Sequence, residues 1–448
     1  MRRAATAVLV AALHVATGAR ADAGANAVEP SEPGDLTYDR FIAAVMEENL
    51  DYAAQRYNIE VAKAESAAAR LLPNPSLQWS GDRDLSYHDA HGVGSDGERT
   101  LLRQVESHGA GLTETVPLGG KRKWRIRAAE ASYRATSATV DDFLRNLKVD
   151  ASEAFVAALS TQATAEQQRI AAGYLADLRR AQEVRFNAGG ISDVDLAETR
   201  LEELQFRDEL LKAEVAAEQA RLALAKFLGR EFGEANFTVR GHLDQPHASY
   251  ELRALIDRAL SERPDLVALR HALDAAESNV KLARSKSIPD LDVGVTYTDN
   301  SPVAATHPID PTPGFHQLEL ALTVTLPIFD YGQHDVAIAR AQAEQARALL
   351  EAAEIKVEVE ARTADAQYRT ALERVSTFRS DLIKSATSVL EAKRYSYQRG
   401  GSTLLELLVA QRAANEVEQA YQEALADVAT ALLELQRATT VGDVDFLP

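Results

Sequence analysis

The chain contains no cysteine. Disulfides, thiolate metal sites and cysteine nucleophiles are therefore excluded, as is the lipid-modified cysteine that tethers some exported proteins to a membrane. Aromatic residues make up only 6% of the 448 positions and prolines number 14, while Ala, Glu, Arg and Leu abound, a mixture that favours long helices over several ordinary globular domains. Beyond the first residues no run approaches the roughly 20 apolar positions of a membrane-spanning helix, which leaves a soluble exported protein or a transmembrane β-barrel. G-x-S-x-G, H-E-x-x-H and P-loop motifs are also missing, so neither an enzyme activity nor a cofactor is expected. Gly92-Val93-Gly94-Ser95-Asp96-Gly97 spells G-x-G-x-x-G, but it lies between strand-like segments and opens no helix, so it reads as a loop.

Positive charge is in deficit, with 49 Lys and Arg against 67 acids and a net charge of −18. Nucleic acid is not an expected partner. The first residues have the form of a secretory signal: Arg2 and Arg3, an apolar stretch from Ala4 to about Ala16, then Ala19-Arg20-Ala21 before Asp22. Residues 1–21 are expected to be a signal peptide, and the mature chain to be exported.

What the sequence does have is a tandem duplication, each half running helix, strand, strand, very long helix, tight turn, helix. Thr115-Val116-Pro117-Leu118-Gly119-Gly120 in the first half matches Thr325-Leu326-Pro327-Ile328-Phe329-Asp330-Tyr331-Gly332 in the second, with the prolines 210 residues apart. Lys121 to Ala188 carries only Gly173 as a breaker, and Gln333 to Arg399 carries neither Gly nor Pro. At 1.5 Å per residue each segment spans roughly 100 Å. The second has a coiled-coil seam at Val336, Ala339, Ala343, Ala346, Leu350, Ala353 and Val357, an extra step of four to Ala361, then Ala364, Tyr368, Ala371, Val375, Phe378 and Leu382. Subtracting 210 gives the same seam, interruption included, from Ile126 through Val140, Leu147, Ala151 and Ala158 to Ala172. An interrupted heptad relaxes the supercoil, and the many alanines allow close approach, which suits a cylinder of nearly straight helices. A plain antiparallel coiled coil remains open on periodicity alone.

Three short segments alternate between apolar and polar residues, as a half-buried strand does. Pro75 to Tyr87 sets Leu77, Trp79, Leu85 and Tyr87 against Gln78, Ser80, Asp82, Asp84 and Ser86. Ile288 to Thr298 and Phe315 to Leu326 repeat the pattern, whereas Leu101 to Val116 alternates poorly. Such strands fit a barrel wall with lipid on one side and water on the other. Four strands cannot close a useful bore, and open edges are not tolerated in lipid, so several chains would share one barrel. A soluble sheet packed on helices is the alternative.

In these features the chain resembles the TolC family of outer-membrane efflux proteins over essentially its whole mature length. The resemblance is carried by the duplicated plan, by Leu72-Pro73-Asn74-Pro75 before the first strand, by Pro117-Leu118-Gly119-Gly120-Lys121-Arg122, and by Tyr397-Gln398-Arg399-Gly400 followed by Leu404, Leu405, Glu406, Leu407 and Leu408. It implies a mainly α fold with a small transmembrane β portion, a homotrimer whose strands form a twelve-stranded barrel continued by a twelve-helix periplasmic α-barrel. The segments would be 1–21 signal peptide, 22–72 N-terminal segment and helix, 73–117 first hairpin, 118–228 first long helical hairpin, 229–249 equatorial linker, 250–287 helix of the second repeat, 288–327 second hairpin, 328–438 second long helical hairpin and 439–448 tail. Pro117, Gly119, Gly120, Pro327 and Gly332 would form the swivels between strand and helix.

The resemblance also assigns a periplasmic gate to Asp195, Glu406 and Tyr397, with departures from the family pattern at Val409 and Ser402. Arg185, Phe186, Gly189, Gly190, Ser192, Val194 and Leu196, with Arg399, Gly400, Gly401, Ser402, Thr403 and Leu404, would be exposed tips that meet a periplasmic adaptor protein, itself joined to an inner-membrane transporter. Outer-membrane lipid would surround the barrel, with no lipid anchor. The implied role is the exit duct of a tripartite efflux system, for heavy-metal cations or small toxic molecules; a protein-secretion duct and a non-pore periplasmic coiled-coil scaffold are the alternatives. His88, His91, His108, His307, His316 and His334 fall in or beside the strand segments, and His88 with His91 offers two metal ligands, too few to define a site.

Overall fold

A computed structural model describes residues 35–83, 92–93, 99–100, 105–229, 237–244, 250–302 and 315–439. Helices α1 (Tyr38–Glu48) and α2 (Leu50–Ala68) lead into strand β1 (Ser76–Arg83); the short β2 (Gly92–Val93) and β3 (Arg99–Thr100) precede β4 (Val105–Val116). Next come α3 (Lys121–Asn187) and α4 (Asp193–Ala225). The second half repeats the plan with α5 (Leu252–Glu262), α6 (Pro264–Ser285), β5 (Leu291–Pro302), β6 (Phe315–Val324), α7 (Gln333–Thr377), α8 (Ile383–Gln398) and α9 (Leu404–Thr439). The expected signal peptide (1–21), His88 and His91, most of the expected linker (229–249) and most of the tail (439–448) fall outside the described residues.

Where one helix per half was expected before the hairpin, two occur. The first pair breaks at Asn49, whose side chain accepts from the Tyr52 amide and donates to the Phe227 carbonyl. The second breaks at Arg263, extended because Pro264 follows it and disfavours helical geometry. The short members α1 and α5 thereby leave the main helical layer and cross the long helices. Phe41 of α1 stacks on Phe155 of α3, and Leu36 pairs with the strand-like residue Val239, so the first-half core gathers Leu36, Phe41, Val45, Phe155, Leu224, Phe227 and Val239 at mid-height. A matching cluster around Tyr368, Val428 and Leu432 takes Ile256 from α5.

The four main strands form one antiparallel sheet in the order β1-β4-β5-β6, joining the hairpins of both halves. Its register aligns like with like. Leu77, Leu112, Val295 and Leu320 form one cross-strand row, and Trp79, Ala110, Tyr297 and Leu318 the next. On the opposite face run Ser76, Thr113, Gly294 and Ala321, then Gln78, Gly111, Thr296 and Glu319. Glu114 and His108 interrupt the apolar face of β4, and its glycines on the other face have a steric cause: a Cβ on Gly109 would meet the Ser80 hydroxyl at 2.7 Å and one on Gly111 the Thr296 hydroxyl at 2.8 Å. Side chains crowd on this polar face, as on the concave side of a curved sheet, and β4 answers with glycine where the pattern calls for a polar residue.

The expected seams are buried or half-buried throughout, with one exception. Leu382 is exposed, and Ile383 takes the inward place. Residues Phe378–Leu382 form a π turn, which accommodates one extra residue in a helix. The tip glycines Gly189 and Gly400 accordingly lie 211 apart although the swivel prolines lie 210 apart. A one-residue insertion in the second half is absorbed there, so Ala172 corresponds to Ile383 and not to Leu382.

Sheet and helices meet at the swivels. Gly119 and Gly120 adopt φ of 69° and 74°, and Gly332 of 81°. Asp290 clamps the first junction, accepting from the Leu118 amide at 3.0 Å and from Lys121 at 2.8 Å, which is why β5 begins only at Leu291. Lys286 bonds Asp335 at 2.9 Å beside the second. A Cβ on Gly119 would lie 2.9 Å from both the Ser285 carbonyl and the Ile288 Cβ. Gly119→Ala is therefore expected to cost at least about 1–2 kcal/mol in denaturant unfolding, whereas Gly173→Ala, at an open mid-helix position, should gain roughly 0.5–1 kcal/mol.

Candidate functional site

Both long helical hairpins reverse direction by the same device. Gly190 donates to the Arg185 carbonyl and Gly189 to that of Phe186; in the second half Gly401 donates to Ser396 and Gly400 to Tyr397, all at 2.8 to 3.0 Å. This 6→1 and 5→2 pairing needs a left-handed residue, supplied by Gly189 at φ 74° and Gly400 at φ 76°. Nothing lies within 4 Å of a Cβ at either position, so conformation and not space demands glycine.

The helices that follow start on Ser192 and Thr403, and here the halves diverge. Ser192 and Asp195 close a capping box: the Asp195 amide donates to the Ser192 hydroxyl at 3.1 Å, and the Asp195 carboxylate accepts from the Ser192 amide at 3.1 Å and its hydroxyl at 2.8 Å. Thr403 likewise accepts from the Glu406 amide at 3.2 Å, but the Glu406 carboxylate turns away to Lys393 at 2.7 Å. That hydrogen bond and the ammonium charge hold the Glu406 carboxyl below its ordinary value. Asp195 thus serves helix initiation while Glu406 remains an exposed, ionised group tied to one lysine.

Tyr397 joins the two hairpins. Its hydroxyl accepts from Gln182 and, at 3.1 Å, from Arg185, whose guanidinium also lies over the tyrosine ring. The ring packs beside Leu175, Phe206, Leu404 and Leu408. Arg412 adds a second link by bonding Glu202 at 2.8 Å and Gln205 at 2.6 Å. Of the tip residues expected to be exposed, Leu196 and Leu404 are buried, at 3% and 6% accessibility, because each begins the apolar stripe of its helix. Phe186, as expected, is exposed, and so are the neighbours Val184, Val194, Leu405 and Val409. Gln182 and Lys393 went unnoticed in the sequence, since a Gln and a Lys on long helices carry no local signal until the hairpins are brought together.

Residues 42–230 and 255–441 match the family model described as Outer membrane efflux protein, one stretch in each half of the duplication. The chain belongs to the outer membrane efflux protein family. It is 25% identical to the cobalt-zinc-cadmium resistance protein CzcC of Cupriavidus metallidurans across 88% of each chain, and 25% identical to the pyoverdine export outer membrane protein OpmQ of Pseudomonas aeruginosa across 83% of this chain and 77% of that one. The solved structure of CusC superimposes with a TM-score of 0.72 at 18% identity, covering 90% of this chain and 92% of that one.

This efflux protein resides in the outer membrane, with its long helices extending into the periplasm. Among its described residues no helix is long and apolar enough to cross a membrane, and no group of three or more His, Asp or Glu could hold a metal ion. His316 lies 3.3 Å from Asp299, with His108 opposite Asp299 on the next strand.

At mid-height of the efflux protein, Arg437 near the end of α9 bonds Asp150 at 2.8 Å and lies 3.1 Å from Glu153 and 3.5 Å from Glu434. Burial pushes the Glu153 carboxyl up to about 7 despite Arg437, and Glu434 adds to the rise. A raised carboxyl binds its proton more tightly in the folded state, so this contribution to stability is full below the ordinary 4.5 and is lost as pH rises through about 7. Thermal unfolding between pH 4.5 and 8 should show the midpoint falling with pH, and Glu153→Gln should flatten that slope; an unchanged slope would assign it elsewhere.

Proposed function

We propose that this protein is the passive exit duct of a tripartite efflux system, a homotrimer in which each chain gives its four strands to one barrel and its helices to one periplasmic tunnel. The observation that carries this is the sheet: among the described residues its apolar rows have no partner, with Leu77, Trp79 and Leu318 each more than 70% exposed, and β1 and β6 each leave one edge unpaired. In hydrocarbon such edges require pairing, and a β6 edge on the β1 edge of the next copy supplies it by rotation. The polar, crowded face then lines the bore. No enzymatic role is needed: the chain supplies a pore, and a periplasmic adaptor and an inner-membrane transporter supply coupling.

At the far end, rotation gathers copies of Glu406 and Asp195 into a negative constriction that attracts cations, with Tyr397 and Arg185 holding neighbouring hairpins closed. The exposed residues Arg185, Phe186, Val194, Arg399 and Thr403 stand ready for the adaptor. Divalent heavy-metal cations are the favoured cargo, supported by the similarity to CzcC along both chains and by the Gly119-Gly120-Lys121-Arg122 swivel.

In planar bilayers the purified protein should conduct as a trimer and be blocked by divalent cations from the tip side. The double variant Asp195→Asn with Glu406→Gln should weaken that block about tenfold, the equivalent of about 1.4 kcal/mol. A monodisperse monomer in detergent-free buffer would refute the duct, and unaltered block would refute the gate.

A further inference from the structure

We infer that the collar just beneath the barrel carries a binding site for the headgroup of an anionic phospholipid in the periplasmic leaflet, built by Lys123, Arg127 and Lys281 around Trp124. Lys123 Nζ lies 5.2 Å from the indole, the Arg127 guanidinium 4.9 Å and Lys281 Nζ 4.9 Å, so three cations from two helices converge on one ring. All three are exposed, as is Arg284 one turn along α6 from Lys281.

Other cations at this level are already committed. Arg122 and Arg125 donate to the carbonyls of residues 69–71 at the end of α2, Lys121 to Asp290 and Lys286 to Asp335. By contrast, Lys123, Arg127, Lys281 and Arg284 have no carboxylate in ion-pairing range among the described residues, in a chain whose net charge is −18. Like charges held together without a counter-ion repel one another, and an external anion relieves that repulsion. Cation–π attraction to the indole holds the cluster in place meanwhile.

Position identifies the source of the anion. Steps of seven and four along α3 lead from Arg127 through Arg134, Asp141 and Lys148 to Ser152, which bonds Tyr38 of α1. The face that carries α1 cannot be the bore of a duct, so Lys123 and Arg127 point outward; this step rests on the channel reading. Trp124 is the fourth residue of α3, about 5 Å along the helix from its start just after the swivel. Immediately above lie the exposed Leu118, Ile288, Ile328 and Phe329, the last at 93% accessibility. Apolar side chains over an aromatic residue over unpaired cations is the profile of a membrane boundary, acyl chains above and phosphates below.

Since the chain has two tryptophans, Trp79→Phe leaves Trp124 as sole reporter in the full-length detergent-solubilised protein. Phosphatidylglycerol titrated in mixed micelles should shift its emission saturably, and Lys123→Gln, Arg127→Gln and Lys281→Gln should each weaken binding about fivefold. Phosphatidylcholine and inorganic phosphate should leave the emission unmoved. An equal response to either, tighter binding of lipid A from the opposite leaflet, or undiminished binding in the triple variant would overturn the site. If that triple variant still conducts as a trimer, the duct survives and the lipid site alone fails.

Discussion

The antiparallel pairing of β4 with β5 is the interaction on which the rest of this structure depends. Running from Val105 opposite Pro302 to Val116 opposite Leu291, it welds the hairpins of two sequence repeats into one sheet and brings their apolar rows into line. Without it each half would hold an isolated two-stranded ribbon, marginal in water and untenable in lipid. With it, the two junctions to the long helices stand side by side, and Asp290 beneath β5 can clamp the start of α3 beneath β4.

From that joint the helices inherit their spacing, and alanine-rich seams let them stay close over their full length. Mid-height elements that the seams do not engage, α1, α5 and residues 237–243, pack against the long helices and bury large aromatic residues there. Arg145 and Arg263 both donate to carbonyls at the C-terminal end of α9, tying the last long helix to α3 and to the break between α5 and α6. The mixed charges around Arg437 sit in this same zone, where three carboxylates from α3 and α9 compete for one guanidinium.

Duplication did not leave the halves equivalent. One inserted residue, taken up by the π turn at Phe378–Leu382, shifts the second hairpin by a register step and exposes Leu382. At the tips identical backbone turns carry different carboxylate chemistry, closed into a capping box at Asp195 and committed to Lys393 at Glu406. In a threefold assembly such asymmetry would alternate around the ring, a pattern of two kinds of hairpin that a single repeat could not make.

Periodicity and punctuation alone determined much of this protein. Near-absence of Gly and Pro marked the long helices, alternation marked three of the four strands, and Gly-Gly pairs marked both reversals, because each is a local consequence of backbone geometry. The break at Pro264, by contrast, was not anticipated, since 250–287 was expected to be one helix. What the tertiary structure decided are the matters that depend on residues far apart: glycines in β4 that make sense only against Ser80 and Thr296, a π turn legible only by comparing 210 with 211, and Leu196 and Leu404 folded inward. Charge followed the same rule, for Glu406 finds Lys393 and Tyr397 finds Gln182 and Arg185 only once the hairpins pack, and no window along the chain contains the low dielectric that raises Glu153.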